Sequence, residues 1–361
     1  MWQRPRGSRQ VPSRKGAKLG SASAPPVSAR AAADSLCSPL RFSEESRMGA
    51  HRVEPESIGH SLEATSAWLA EGEATGYIMV KPYSDLRDRT ICHLRTLKDA
   101  GIQVSPVCRF WKYVRQLEAA SRADGISVPD GLDLPTWHRS LNELEDLDLI
   151  TSNLTREPAV AGWERAVDQM LSGGTRRTDE VKHSRARDIQ FELVLAAMWR
   201  QAGYGVELLE PDVVVTSTNP QFGIAAKRPR TVSNLTANIR KANSQIARSG
   251  RPGIIAIDLT CLLNPTDVHI STADFRAASA FVIQKTDSFI DANASRIVSL
   301  VDPQKTFGVA VHFAMPILLR TRPALGWSRR LSISNLCNST DPRASLLAET
   351  AERMATVEWD R

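Results

Sequence analysis

The chain has 361 residues, 42% hydrophobic and 24% charged, which is the composition of a soluble globular protein and a length sufficient for two domains, or one domain plus an appendage. No run approaches the ~18 apolar residues of a membrane span, and the five scattered cysteines lack CxxC spacing, so neither a transmembrane helix nor a zinc knuckle nor a redox dithiol is expected, and free thiols are the plain reading. The net charge of +6 invites a nucleic-acid reading, but residues 1–47 hold nine of the 46 Lys and Arg and three of the 40 Asp and Glu, which leaves 37 of each from Met48 onward. Bulk charge therefore says nothing about the partner of the folded part; only a local patch could.

Residues 1–60 read as a basic tail rich in Arg, Ser, Pro and Ala, without the apolar periodicity needed to bury a core. A solvated tail, untranslated upstream sequence ahead of Met48 and an organelle transit segment all fit that composition. Residues 61–172 read as a helical accessory region. Its helices are expected over Ser61–Gly72, over the segment that starts after Asp85 and stops at Gly101, over Val107–Gly125, over Thr136–Ile150 and from Pro158 to Met170, with a short extended stretch ahead of Pro82. In the Thr136–Ile150 helix, the acidic run from Glu143 to Asp148 alternates with leucine and reads as a solvated face. Residues 173–188 read as a Gly- and Arg-rich linker, which either is simply solvated or leads phosphate toward the helix that begins at Ile189.

Residues 189–361 read as an α/β domain. Ile189–Ala202 is a strong helix stopped by Gly203. Short strands come next at Gly205–Leu208, Asp212–Ser217 and Phe222–Arg228, the second a β-branched run. A helix over Thr231–Arg248 and a continuous apolar strand, Gly253–Leu259, complete the order α-β-β-β-α-β. Beyond lie a helix over Ala273–Val301, a strand over Lys305–Leu319 with an irregularity at Pro316, an edge strand over Trp327–Leu336 and a closing helix over Pro342–Thr356. Asp258 reads as a turn cap and His312 as structural.

Three residues in this domain have the types that phosphodiester hydrolysis needs. Asp212 opens one strand, and Lys227 ends the next, 15 residues on, so a hairpin sets them side by side. Glu192 sits in the first turn of the helix before them. Hard divalent cations take carboxylate oxygens, and an ammonium beside them can orient water and offset phosphate charge.

In this order, Phe191-Glu192-Leu193, Pro211-Asp212 and Lys227-Arg228-Pro229, followed by the helix with Gln245-Ile246 and the strand GIIAIDL, resemble the PD-(D/E)XK nuclease superfamily, with its restriction-endonuclease-like fold. The resemblance covers roughly residues 185–260. It implies a mixed-sheet core and a Mg²⁺- or Mn²⁺-dependent nuclease acting on DNA. It also implies Asp212 and Glu192 as metal ligands, Lys227 as the residue that positions the attacking water, and Arg228, Gln245 and Arg187 as nucleic-acid contacts. The sequence departs from the family at Ala225, where a second strand carboxylate is usual. Glu192 is the first candidate to compensate, ahead of Glu210 and Glu207; otherwise the domain keeps the fold as a catalytically degenerate binding module. Cytoplasmic location, no membrane partner and a homodimer complete the expectations.

Overall fold

A mixed β-sheet runs through the centre of the protein, here a computed structural model that describes residues 74–79, 83–122, 128, 131–155, 160–174, 180–319, 324–337 and 340–355. All of these fall in one compact unit, Ser46–Arg361. The expectations for the tail and for a helix over Ser61–Gly72 lie outside the described residues.

The chain enters with strand β1 (Ala74–Met79), then four helices: α1 (Tyr83–Asp99), α2 (Arg109–Arg122), α3 (Leu134–Leu154) and α4 (Trp163–Leu171). Helix α5 (Glu180–Gln201) leads into β2 (Val206–Glu207), β3 (Val213–Val215) and β4 (Phe222–Lys227), then α6 (Val232–Ser249) and β5 (Gly253–Asp258). This segment keeps the expected α-β-β-β-α-β order. The short helix α7 (Thr260–Leu263), strand β6 (Ile270–Thr272), helix α8 (Phe275–Leu300), strands β7 (Thr306–Leu319) and β8 (Ala324–Asn335) and helix α9 (Pro342–Ala355) finish the chain. The sheet order is β1-β8-β7-β5-β4-β3-β2, with β6 added beside β7. Pairing is parallel for β4–β5, β5–β7 and β6–β7 and antiparallel elsewhere.

Both faces of the sheet centre are covered, which is why β4 and β5 are continuous apolar runs rather than alternating ones. One face carries Phe222, Ile224 and Ala226 into a core shared with Trp137, Leu144, Leu195 and Trp199 of α3 and α5. The other carries Ala225, Ile255 and Ile257 against Leu235, Ile239, Ala242 and Ile246, spaced four, three and four residues apart on α6. Helix α6 is held at its start by Thr231, whose Oγ1 accepts the Asn234 N–H, and is ended by Gly250 at φ 70°, a left-handed position that glycine takes without steric cost.

The fold departs from the sequence expectations at several points. Helix α5 begins at Glu180, so the second half of the expected linker is helix, and one core joins the helical region to the sheet. The acidic run of α3 is interior: Glu143, Glu145, Asp146 and Asp148 are all at most 8% exposed. Leucine alternation reads as one wet face, but α3 is buried all round, and its carboxylates are matched by cations from α1, α2, α5 and β8. Strand β8 is not an edge; it lies between β1 and β7. Strand β6 carries no sequence signal beyond three residues. Pro316 causes no register shift against β8, because it lies where the opposite edge of β7 changes partner, between His312, paired to β5, and Ile317, paired to β6.

Cys108, Cys261 and Cys337 are free thiols, in line with the sequence reading. No helix among the described residues is long and apolar enough to cross a membrane.

Candidate active site

The start of β3, the end of β4, one face of α5 and one face of α6 meet at an open cleft of about 710 Å³. Asp212, Lys227 and Glu192 all line it, with Gln245 and Arg228. The sheet geometry explains the first pair. Val213 stands opposite Ile224 in the antiparallel β3–β4 register, which puts Asp212 next to the last residues of β4. Pro211 lies directly on β4: a Cβ at Gly223 would fall 2.6 Å from the Pro211 ring, so the glycine makes room for the turn that delivers Asp212.

Asp212 is a hub. Its Oδ2 accepts the Ala226 N–H at 2.8 Å and Lys227 Nζ at 3.0 Å, and its Oδ1 accepts Gln245 Nε2 at 3.0 Å. Lys227 Nζ also donates to the Ala226 carbonyl at 2.6 Å. Gln245 Nε2 donates to the Pro211 carbonyl as well, at 2.8 Å, so both neighbours of this amide nitrogen are acceptors and the amide cannot flip without facing oxygen to oxygen. Gln245 Oε1 is consequently a buried acceptor without a hydrogen-bond partner among the described residues.

Burial sets the electrostatics of the cleft. It pushes Glu192 up to about 8, helped by the Asp212 charge and only partly opposed by Lys227. Asp212 is raised too, again by burial, against the pull of Lys227, the Ala226 N–H and Gln245. Asp188, one turn before Glu192 on α5, also lines the cleft and is raised by burial, although Arg228, Arg230, Lys227 and Lys241 pull the other way. Asp188 falls inside the stretch expected to be linker and so is absent from the expected site; the i, i+4 spacing to Glu192 is the sequence signal that points to it.

The cationic residues are arranged differently from the expectation. Arg187 does not reach the cleft. It is 5% exposed, paired with Glu143 and donating to the Gly174 carbonyl at 3.0 Å, on the opposite side of α5. Arg228 lines the cleft but is anchored behind it by Asp258 at 2.8 Å. The exposed cations at the cleft are Arg165 from α4, Arg185 from α5 and Lys241 from α6. Lys241 lies one turn before Gln245, so α6 shows the cleft a cation and an amide on one face. Asp258 caps the turn after β5 through the Thr260 N–H at 3.0 Å and also binds His312 at 3.1 Å. Although burial opposes it, His312 and Arg228 hold the Asp258 carboxyl far below the usual range.

Ala225 is not part of the cleft wall. It is fully buried in the apolar cluster under α6. Two residues before Lys227 on β4, it lies on the same face of the strand as that lysine, in the cluster that also holds Leu235, Ile239 and Ile246.

The donor set fits a hard divalent cation: Asp212 and Glu192 supply carboxylate oxygens. Among the described residues, no three His, Cys, Asp or Glu side chains stand close enough to hold a metal by themselves. Glu207 does not line the cleft; Glu210 does, but it is exposed and paired with Arg248 at 2.8 Å. Compared with known proteins, the chain matches no protein-family model, no curated protein and no solved structure.

Proposed function

We propose that the protein is a divalent-metal-dependent nuclease of the restriction-endonuclease-like class, hydrolysing phosphodiester bonds of DNA in this cleft. The observation that carries the reading is the Asp212–Lys227 pair, held at 3.0 Å at a sheet end, in a cleft with exposed Arg165, Arg185 and Lys241. Those cations come from three helices and give a formally neutral folded chain a local site for a polyanion.

Asp212 and Glu192 would hold Mg²⁺ or Mn²⁺, which when bound supplies Lewis-acid stabilisation of the charge that builds on phosphorus oxygens. The chain's own groups do the rest. Lys227 has committed two of its three N–H donors, to Asp212 and to the Ala226 carbonyl, which fixes the ammonium in place; the third can orient the attacking water or a phosphate oxygen. Gln245 holds Asp212 from the other side and sets the plane of its carboxylate. Arg165, Arg185 and Lys241 position the phosphate backbone without reading its sequence.

The test is Mg²⁺- or Mn²⁺-dependent cleavage of plasmid and linear DNA by the full chain, by Asp212→Asn and by Lys227→Ala. Each substitution is expected to lower the rate at least ~1,000-fold, the scale lost with a catalytic electrostatic group, while circular dichroism shows that each variant is folded at the assay temperature. Equal cleavage by wild type and both variants overturns the assignment.

A second reading is favoured by Ala225. With that strand position buried in the apolar cluster, the same fold could serve as a catalytically degenerate module that binds nucleic acid. It predicts salt-dependent DNA binding that weakens in Lys241→Ala and Arg165→Ala, without metal-dependent cleavage at any pH.

A further inference from the structure

We propose that Asp258, backed by His312, is a positioning residue for the cleft: it fixes the Arg228 guanidinium at the sheet end as a contact for a DNA phosphate beside Lys227. The proposal rests on the nuclease reading and adds to it a group that meets the substrate and the two residues that hold that group in place.

The sheet register builds the arrangement. Lys227 stands opposite Ile257 in the parallel β4–β5 pairing, so Arg228, the next residue, leaves β4 beside Asp258. Asp258 stands opposite His312 in the β5–β7 pairing. Ala226, Ala256 and Ala310, each two residues before one of these, belong to the core shared with α3 and α5. Side chains alternate along a strand, so Arg228, Asp258 and His312 form a row at one end of the sheet, on the face that α5 covers. The Phe191 ring of α5 lies 5.5 Å from that of His312, on the same side. Lys227 points the other way, to Asp212, so the end of β4 gives the cleft two cations from its two faces.

Hydrogen bonds tie the row together. Asp258 Oδ2 accepts Arg228 Nε at 2.8 Å, and Oδ1 accepts the Thr260 N–H at 3.0 Å and His312 Nδ1 at 3.1 Å. An ionised carboxylate only accepts, so His312 carries a proton on Nδ1. Asp258 and His312 are buried and do not line the cleft; Arg228 does. A guanidinium held through Nε keeps a fixed plane and loses little conformational freedom when a phosphate arrives. Arg165, Arg185 and Lys241 are exposed and must be ordered at that moment. The Arg228 charge is already felt in the cleft: burial raises the Asp188 carboxyl, and Arg228 is the first of the cations that pull it down.

The experiment is fluorescence anisotropy of a labelled DNA duplex titrated with the full chain, without divalent cations, over a series of salt concentrations. The chains compared are wild type, Arg228→Gln, Asp258→Asn, the double variant of these two, and Asp267→Asn, which breaks a different ion pair, with Arg139. By charge alone, Asp258→Asn removes a negative group and should bind DNA more tightly. Positioning gives the opposite sign. Arg228→Gln and Asp258→Asn are each expected to lose about tenfold in affinity, the scale of one charge-assisted hydrogen bond, and to lower the salt dependence by about one phosphate contact. The double variant is expected to bind like Arg228→Gln, because Asp258 acts only through the arginine, and Asp267→Asn like wild type. Circular dichroism verifies folding. If Asp258→Asn does not fold, Asp258→Glu, which keeps the charge but moves the guanidinium, carries the test with the same expected loss. Wild-type or tighter binding by the folded Asp258 variant overturns the positioning and leaves the nuclease reading standing. If wild type binds DNA but does not cleave it with Mg²⁺ or Mn²⁺, the nuclease reading falls and the affinities still decide the positioning. A wild-type chain that binds no DNA overturns the phosphate contact, and one that also fails to cleave overturns both.

Discussion

Helix α5 separates two polar clusters, and a glutamate in each shows what its neighbours decide. On one side Glu143 is 1% exposed, with Arg187 paired to it, Arg109 Nε at 2.7 Å and the Tyr113 hydroxyl donating at 3.0 Å. Burial alone would raise its carboxyl, but the two guanidinium groups outweigh it and hold it below the usual range. On the other side Glu192 is also largely withdrawn from water, yet Asp212 and Asp188 add negative charge and Lys227 is committed to Asp212; its carboxyl is pushed up to about 8. The helical-layer cluster is closed: Asp146 is met by Arg329 at 2.6 Å and by Gln190, and Arg329 Nη2 reaches Asn142 at 2.7 Å. Among the described residues, the cleft cluster leaves an acceptor open on Gln245 and three carboxyls that resist ionisation. Withdrawal from water thus leaves carboxyls ionised where cations match them and raises them where they are unmatched.

The comparison is broken most severely by removing Glu143. Glu143→Ala strands two buried guanidinium groups, and the expected loss is about 3–5 kcal/mol in urea unfolding. A loss below ~1 kcal/mol would mean that the helical-layer ion pairs are no more structural than surface ones. The next effect is expected at Ala225. Ala225→Glu places a carboxylate among Leu235, Ile239 and Ile246, and should cost about 2–4 kcal/mol without adding Mn²⁺ affinity. A gain in Mn²⁺ affinity in that variant would show that β4, and not α5, faces the cation.

The order of elements around the cleft is readable in the sequence because each carries its own signal: the β-branched run Val213–Val215, the apolar run of β5 and the four-three-four spacing of α6. Asp212 and Lys227 are readable as neighbours because a two-strand hairpin with a short turn leaves little choice of register. The helical layer is not. Glu143, Asp146 and Asp148 look like solvent-facing charge until their cations arrive from positions 34 to 183 residues away in sequence, from Arg109 and Arg187 to Arg329. For the same reason Arg187 reads as a phosphate contact in a basic stretch, whereas burial between α3 and α5 gives it to Glu143. Asp188 is hidden by a misplaced boundary: a linker over 173–188 removes the helical spacing that pairs it with Glu192.

The smallest effect separates the two clusters by pH. The Glu192 carboxyl lies at about 8 in the folded chain against an ordinary 4.5. Below the ordinary value it is protonated in both states and contributes no difference. Between the two values the unfolded chain releases the proton and the folded chain keeps it, so folding stability falls as pH rises; above about 8 the full penalty is present. Glu192→Gln cannot ionise and should escape this. Its stability relative to wild type is expected to be flat below the ordinary value, to grow with pH up to about 8 and then to level off, reaching about 1–2 kcal/mol after allowance for the solvent-open cleft. Urea unfolding across that range measures it, and a difference independent of pH would remove Glu192 from the unmatched cluster. Mn²⁺ supplies the complementary measurement. A cation binds only the ionised carboxylate, so its affinity for wild type should rise roughly tenfold per pH unit on the acid side of the Glu192 transition, with one proton released per ion bound. In Glu143→Gln that slope should be unchanged, because Glu143 is already ionised and paired on the far side of α5.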